Sequence, residues 1–278
     1  MDIWTITFDT LWEREMIKEQ LSSLNNILSG KDVKIHVVFN EFTPHPNYKK
    51  FIETVKSSDF DIDIKFYMVD EIIIDGLALN VKSAHTIRGW YVQQFIKLLG
   101  PIKYGTYENQ LMLDSKNIPI GYNLLDTNKN VFHFLKNNDM RYYRKTVRYY
   151  TQVFDVKTNL TKQPTTPFLF KLSTLYKLHE FFDKDDSKML RHLYSEDYAP
   201  APSEFCFYNI FEQRFKVLET EEYHKTNTLY YYDNLRVEDG IKDCKHRNIS
   251  WVTCRNDNDV WNFKRWIGIL RKYIDTSP

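Results

Sequence analysis

Glycine is scarce in this chain, with 8 among 278 residues, and nowhere do the glycines gather into a loop. A backbone cradle for phosphates of the P-loop or dinucleotide type needs several glycines close together. Phosphoryl transfer built on such a loop is therefore excluded. Cysteine is scarce too. Cys206, Cys244 and Cys254 form no CxxC pair and no even-numbered framework. A disulfide scaffold is excluded and a reducing compartment is expected. Charge of one sign is also missing: 38 Lys and Arg stand against 37 Asp and Glu, a formal net charge of +1. Broad nucleic-acid binding wants a basic excess, so no nucleic-acid partner is expected. No window approaches the roughly 18 uninterrupted apolar residues of a membrane span. The start, Met1-Asp2-Ile3-Trp4, has neither the basic nor the apolar region of a secretory signal. No membrane span and a cytoplasmic location are the resulting expectations.

What is present is the balance of a soluble globular domain, 42% hydrophobic and 27% charged residues. Aromatics reach 16%, with 19 Tyr and 19 Phe, which serves a core and also suits stacking on bases or sugar rings. Residues 3–8 form an apolar, β-branched run that predicts a first strand. A helical spacing of leucines follows over 11–28, with Gly30 as a stop. Strands are predicted over 33–39, 62–69 and 111–113, with helices over 46–55 and 88–99, the latter closed by Gly100-Pro101. Strand and helix in alternation argue for a parallel sheet. Further on, helices are predicted over 140–154, 172–182, 204–215 and 260–274, and short strands near 168–170, 230–232 and 249–253. No linker or repeat divides 1–278, so one domain is expected.

Two stretches carry chemistry. The helix predicted over 88–99 bears Arg88, Gln93, Gln94 and Lys97, and Gln93 and Lys97 share a face by i, i+4 spacing. The strand Leu111-Met112-Leu113 then ends in Asp114, Ser115 and Lys116. Ligands of open α/β sheets sit at the carboxyl ends of strands, so Asp114 stands where chemistry is expected, or else simply begins a turn. The second stretch is Ser203-Glu204-Phe205-Cys206-Phe207-Tyr208. Ser203 is a good N-cap and Glu204 falls in the first helical turn, where an anion is favoured. Capping alone accounts for both residues. Arg141, Arg144, Lys145 and Arg148 make a spaced basic face, either solvated or a contact for an acidic acceptor.

Together these stretches resemble the sugar-nucleotide transferases of GT-A type. One branch of them, found in polysaccharide biosynthesis, has R-G-W-x-x-Q-Q-x-x-K-L before a strand ending in D-x-D, and later S-E-[YF]-x-x-Y. The resemblance implies a GT-A-like α/β fold, a Rossmann-like mixed sheet flanked by helices. It implies a nucleotide-sugar donor, a UDP-sugar first, bound by residues 1–120, and a saccharide or glycan acceptor bound by 121–278. Thr5, Thr7 and Phe8, at the end of the first strand, would line the base and ribose. Arg88, Gln93, Gln94, Lys97, Asp114, Ser115 and Lys116 complete the implied donor site. The family's D-x-D holds Mn²⁺ or Mg²⁺, and carboxylates suit such hard cations. Here Lys116 replaces the last acid. Either Asp114 and a late His224 keep a divalent cation, or Lys116 neutralises the diphosphate in its place. The acceptor hydroxyl of an inverting transfer needs a carboxylate general base; Glu204 is the first expectation and Asp197 the second. A nucleotide-sugar or glycan-binding module without turnover is the alternative.

Overall fold

The computed structural model describes residues 1–8, 11–41, 48–73, 85–119, 143–158, 160, 166–195, 197–199, 201–215, 228–231 and 251–254. Its first half alternates strand and helix: β1 (Asp2–Thr7), α1 (Leu11–Leu28), β2 (Lys34–Phe39), α2 (Tyr48–Lys56), β3 (Asp63–Met68), α3 (Val69–Ile72), α4 (His85–Tyr104), β4 (Asn109–Asp114) and β5 (Asn117–Pro119). The second half is mostly helical: α5 (Arg144–Phe154), β6 (Phe168–Lys171), α6 (Leu172–Phe181), α7 (Asp186–Leu193), α8 (Glu204–Glu212), β7 (Thr228–Tyr231) and β8 (Trp251–Cys254).

The main sheet has the order β3-β2-β1-β4-β6. Its first four strands are parallel, and β6 runs antiparallel beside β4. A second sheet, β5-β8-β7, pairs β5 antiparallel to β8. Alternation along each strand sends side chains to two apolar layers. Ile3, Ile35, Val37, Leu111 and Leu113 pack against Ile17, Leu21, Leu24 and Leu28 of α1. Those four recur at helical spacing, the reason 11–28 folds as one amphipathic helix. On the opposite face Trp4, Ile6, Val38 and Met112 meet Val92, Phe95, Ile96 and Leu99 of α4, and the layer continues into α5 through α8. This mixed, doubly covered sheet agrees with the expected fold class. The helix predicted over 260–274 lies outside the described residues.

Helix α3 and strand β5 were not expected, and two further elements differ from expectation. Helix α4 does not stop at Gly100-Pro101 but runs through them to Tyr104, and the Gly105 amide then closes on the Pro101 carbonyl. Gly100 has a packing reason: a Cβ there would stand 2.8 Å from the Trp4 ring. Helix α7 was not expected. Only Met189, Leu190 and Leu193 of it are buried, too few to show a period.

The amino-terminal edge of the sheet is sealed by polar groups. Asp2 is fully buried and accepts from the amides of Thr106 (2.6 Å) and Tyr107 (3.0 Å) and from Gln110 Nε2 (2.7 Å). His36 Nε2 lies 3.0 Å from its other oxygen. Burial raises the Asp2 carboxyl, but these bonds, His36 first, outweigh it and hold the group well below the usual carboxylate range. Trp4 stacks on His36 at 4.1 Å and donates to Gln110 Oε1 at 2.7 Å. The indole is thus pinned and cannot retreat from an added methyl. Gly100→Ala should therefore cost about 1–2 kcal/mol net, overpacking outweighing the gain in helix propensity. Urea denaturation of the variant checks this; an unchanged midpoint would sink the steric account.

Candidate functional site

The carboxyl edge of β1 and β4 is where the chemistry-bearing residues meet. Asp114 ends β4, in parallel register with Ile6 of β1. A tight turn at Ser115-Lys116 leads straight into β5. The turn is held from both sides. The Asp114 amide donates to Asn117 Oδ1 at 2.7 Å, and Gln20 of α1 donates to the carbonyls of Asp114 (2.9 Å) and Asn117 (2.6 Å). So Asp114 does begin a turn, and its side chain is free to do something else.

That side chain is 22% exposed and heavily engaged. Lys97 Nζ lies 3.2 Å from Oδ1, the Gln93 amide 3.5 Å from the same oxygen, and Thr166 Oγ1 donates to Oδ2 at 2.8 Å. Lys97 and Gln93 therefore share a face of α4, as their spacing required. Lys97 turns its other side to Glu204, Nζ to Oε1 at 3.0 Å. Its ammonium also lies 4.9 Å from the centre of the Phe205 ring. Only 4% of the Lys97 side chain and 1% of the Glu204 side chain is exposed. One buried cation thus joins two carboxylates from two distant elements.

Protonation follows from this arrangement. Burial works against the Lys97 ammonium, but Asp114 and Glu204 more than compensate and push its pKa up. Burial also opposes the Asp114 anion, yet Lys97, Lys116 and the Thr166 bond hold its carboxyl below the ordinary range. For Glu204 burial prevails over Lys97, and its pKa is raised. Close by, Glu13 of α1 accepts from Thr7 Oγ1 at 3.2 Å, and burial raises its carboxyl too, against bonds from Ser115 and Thr7.

The expected residues sort as follows. Gln93, Lys97 and Asp114 come together. Ser115 is buried against Glu13, and Lys116 is half-buried on the turn, near enough to Asp114 and Glu13 to act on both. Gln94 turns elsewhere, donating to the Trp90 carbonyl at 3.2 Å. Thr5 and Thr7 are 0% and 1% exposed, on the α1 side of the sheet. Phe8 is partly exposed. Glu204, the first expectation for the base, is buried. A general base must reach the acceptor's hydroxyl, and this carboxylate is enclosed and tied to Lys97, at the start of a helix buried on every side. Ser203 does cap that helix, accepting from the Cys206 amide at 3.3 Å. Asp197 is exposed, on a short loop closed by mutual backbone bonds of Ser195 and Ala199. Burial pushes the Cys206 thiol up to about 12, which removes it as a nucleophile. The side chain of Arg88, and all of Arg141 and His224, lie outside the described residues.

Sequence reasoning missed Asn40, Thr166 and Gln20. Asn40 follows β2 and donates to the Gly89 carbonyl at 2.7 Å, while its buried Oδ1 has no hydrogen-bond partner among the described residues. Its place just after an apolar strand was the available signal. A divalent cation wants several oxygen ligands. Around Asp114 the described donors are an ammonium, an amide and a hydroxyl, and no three His, Cys, Asp or Glu converge among the described residues. Among the described residues this set alone does not make a site for Mn²⁺ or Mg²⁺, and His224, the other expected ligand, lies outside them.

Lys97→Met should leave two buried carboxylates without a counter-charge and destabilise the protein by about 3–5 kcal/mol. Adding Glu204→Gln to that variant should restore part of the loss, as measured by chemical denaturation. Equal stability of the single and double variants would show that the two carboxylates do not share Lys97.

No protein-family model matches the sequence, and no curated protein matches it. Solved structures do resemble it. Mouse xyloside xylosyltransferase 1 in its apo form superposes with a TM-score of 0.52 at 10% identity, covering 94% of this chain and 100% of its own. An active-site mutant of LgtC gives 0.50 at 11% identity, over 100% and 98%. LgtC itself, a galactosyltransferase held with donor and acceptor sugar analogues, gives 0.49 at 12%. No helix among the described residues is long and apolar enough to cross a membrane. The chain has the mixed α/β fold of GT-A-type glycosyltransferases.

Proposed function

We propose that this chain is a glycosyltransferase that moves a hexosyl or pentosyl group from a nucleotide diphosphate sugar to a saccharide hydroxyl. The observation that carries the reading is the buried Asp114–Lys97–Glu204 chain at the carboxyl edge of a parallel sheet in this fold. A buried cation between two acids is costly unless it holds something in place. Here it holds the strand-end Asp114, at the edge where ligands of such sheets bind. The similarity to structures of transferases named for xylose and galactose agrees with either sugar class.

The donor would lie across Phe8, Asn40 and the turn at Ser115-Lys116. A UDP-sugar is the first candidate donor. Lys97 is already shared between two acids. The charge on the departing diphosphate would then fall to half-buried Lys116, acting as a point charge. Residues 1–120 would form the donor half and 121–278 the acceptor half of one domain. With Glu204 enclosed, the acceptor's proton in an inverting transfer would go to Asp197, which is exposed. The enclosure of Glu204 equally favours a sugar-binding module without turnover, and activity separates the two readings.

Titrating UDP-sugars should raise the melting temperature, because a ligand bound only to the native state stabilises it by mass action. Lys116→Ala should weaken that shift and raise the donor KM. Absence of binding by any UDP-, GDP- or TDP-sugar in calorimetry would remove the donor reading. Asp197→Asn should lower kcat by about 10²–10⁴-fold, the usual cost of losing a base, with donor binding intact. Wild-type kcat in that variant would take Asp197 out of the mechanism.

A further inference from the structure

A column of rings rises to the surface between α5, α7 and the loop before α8. Phe207 of α8 stacks on Phe182 (11° between planes), Phe182 on His192 (25°), His192 on Tyr149 (19°) and Tyr149 on Tyr198 (19°). Phe207 and Phe182 are buried, and His192 and Tyr149 are partly buried. The outermost, Tyr198, is 60% exposed. Tyr198 is held flat on the Tyr149 ring and leaves most of its own surface to water, an amphipathic ring with an apolar body and a polar tip.

The support beneath it is rigid. Tyr149 Oη lies 2.7 Å from His192 Nδ1. Burial first, then Lys188 and Arg191, lower the imidazole pKa, so at neutral pH the ring is uncharged and shares one hydrogen bond with the Tyr149 hydroxyl. Tyr150 Oη donates to the Leu193 carbonyl at 2.5 Å and accepts from the Ser203 amide at 3.4 Å, fixing both ends of the segment that carries Tyr198. The Tyr198 amide donates to Ser195 Oγ at 3.3 Å. Tyr194, just before this loop, rests on Tyr91 of α4 at 4.5 Å. Since α4 also carries Gln93 and Lys97, the loop is tied to the helix that builds the candidate site.

We propose that the outer face of Tyr198 is a subsite for one sugar ring of the saccharide acceptor, a proposal that rests on the transferase reading above. A pyranose offers a flat C–H face to such a ring and hydroxyls at its rim. Asp197 precedes Tyr198 in the same loop, and both are exposed. A stacked base would want phosphate contacts as well, and the chain's net charge of +1 does not favour a polyanion. The subsite would bring the acceptor chain to the loop that holds the exposed Asp197.

The test is an array of defined neutral oligosaccharides, probed with the full chain and with Tyr198→Ala, Tyr198→Phe and Tyr176→Ala. Tyr176, 43% exposed on α6, controls for adventitious contact by an exposed tyrosine. The wild type should bind a subset of glycans. Tyr198→Ala should weaken binding about tenfold or more, equivalent to about 1.4 kcal/mol; Tyr198→Phe and Tyr176→Ala should bind as the wild type does. Equal binding by wild type and Tyr198→Ala overturns the subsite, as does a wild type that binds no glycan on the array. UDP-sugar melting shifts are read on the same samples. A shift without glycan binding fails the subsite alone; glycan binding through Tyr198 without any shift keeps the platform and fails the donor reading.

Discussion

One ammonium group organises this protein. Lys97 stands almost out of water between Asp114 at the end of β4 and Glu204 at the start of α8. Through it the sheet, the long helix α4 and the helical second half meet at a single point. The pair of acids outnumbers the cation, so the cluster carries an excess of negative charge in poor solvent. Gln93, Thr166 and the nearby Lys116 offset that excess at Asp114, whereas Glu204 responds with a raised pKa. The same constraint decides roles. Lys97 is shared between the two acids, Glu204 is enclosed against it, and Lys116 and Asp197 stand nearer the surface.

The two edges of the main sheet are built in opposite styles. At the amino-terminal edge Asp2 is saturated by four polar partners and wholly enclosed, which closes that side to ligands. At the carboxyl edge the polar atoms are only partly matched: Asn40 Oδ1 has no partner among the described residues, and Phe8 and Lys116 reach the surface. Buried polar atoms are ordinarily satisfied in full, and the two edges differ in how far they meet that rule.

The first half of the fold could be read from apolar runs alone, because a parallel strand buried on both faces is a short hydrophobic word between helices. The end of α4 could not. Gly100-Pro101 spells a stop, yet the glycine is there to admit the Trp4 ring, a contact between residues far apart in the chain. Of the site, Gln93, Lys97 and Asp114 were visible as pattern and resemblance. The Lys97–Glu204 pair was not, since helical spacing ties Lys97 only to its own helix. An acid in a first turn ordinarily faces water, but Glu-Phe-Cys-Phe-Tyr-Asn-Ile-Phe-Glu is buried along its whole length, Glu204 included. Thr166, in a stretch rich in prolines, had no pattern to betray it.

The turn at Ser115-Lys116 is finished by residues made much later. Strand β5, which begins at Asn117, is paired with β8, Asn117 opposite Thr253 and Pro119 opposite Trp251. Before residues 251–254 emerge from the ribosome, the nascent chain can already assemble β1 to β4 and the helices that cover them. Gln20 and Ser23 of α1 hold the carbonyls of Asn117 and Pro119 from within the first half of the chain. Closure of the small sheet is a long-range event, slow in the way that distant strand pairing is slow. The rim beside Asp114 is thus completed after the body of the fold, and lesions near Trp251 act at the site from across the chain.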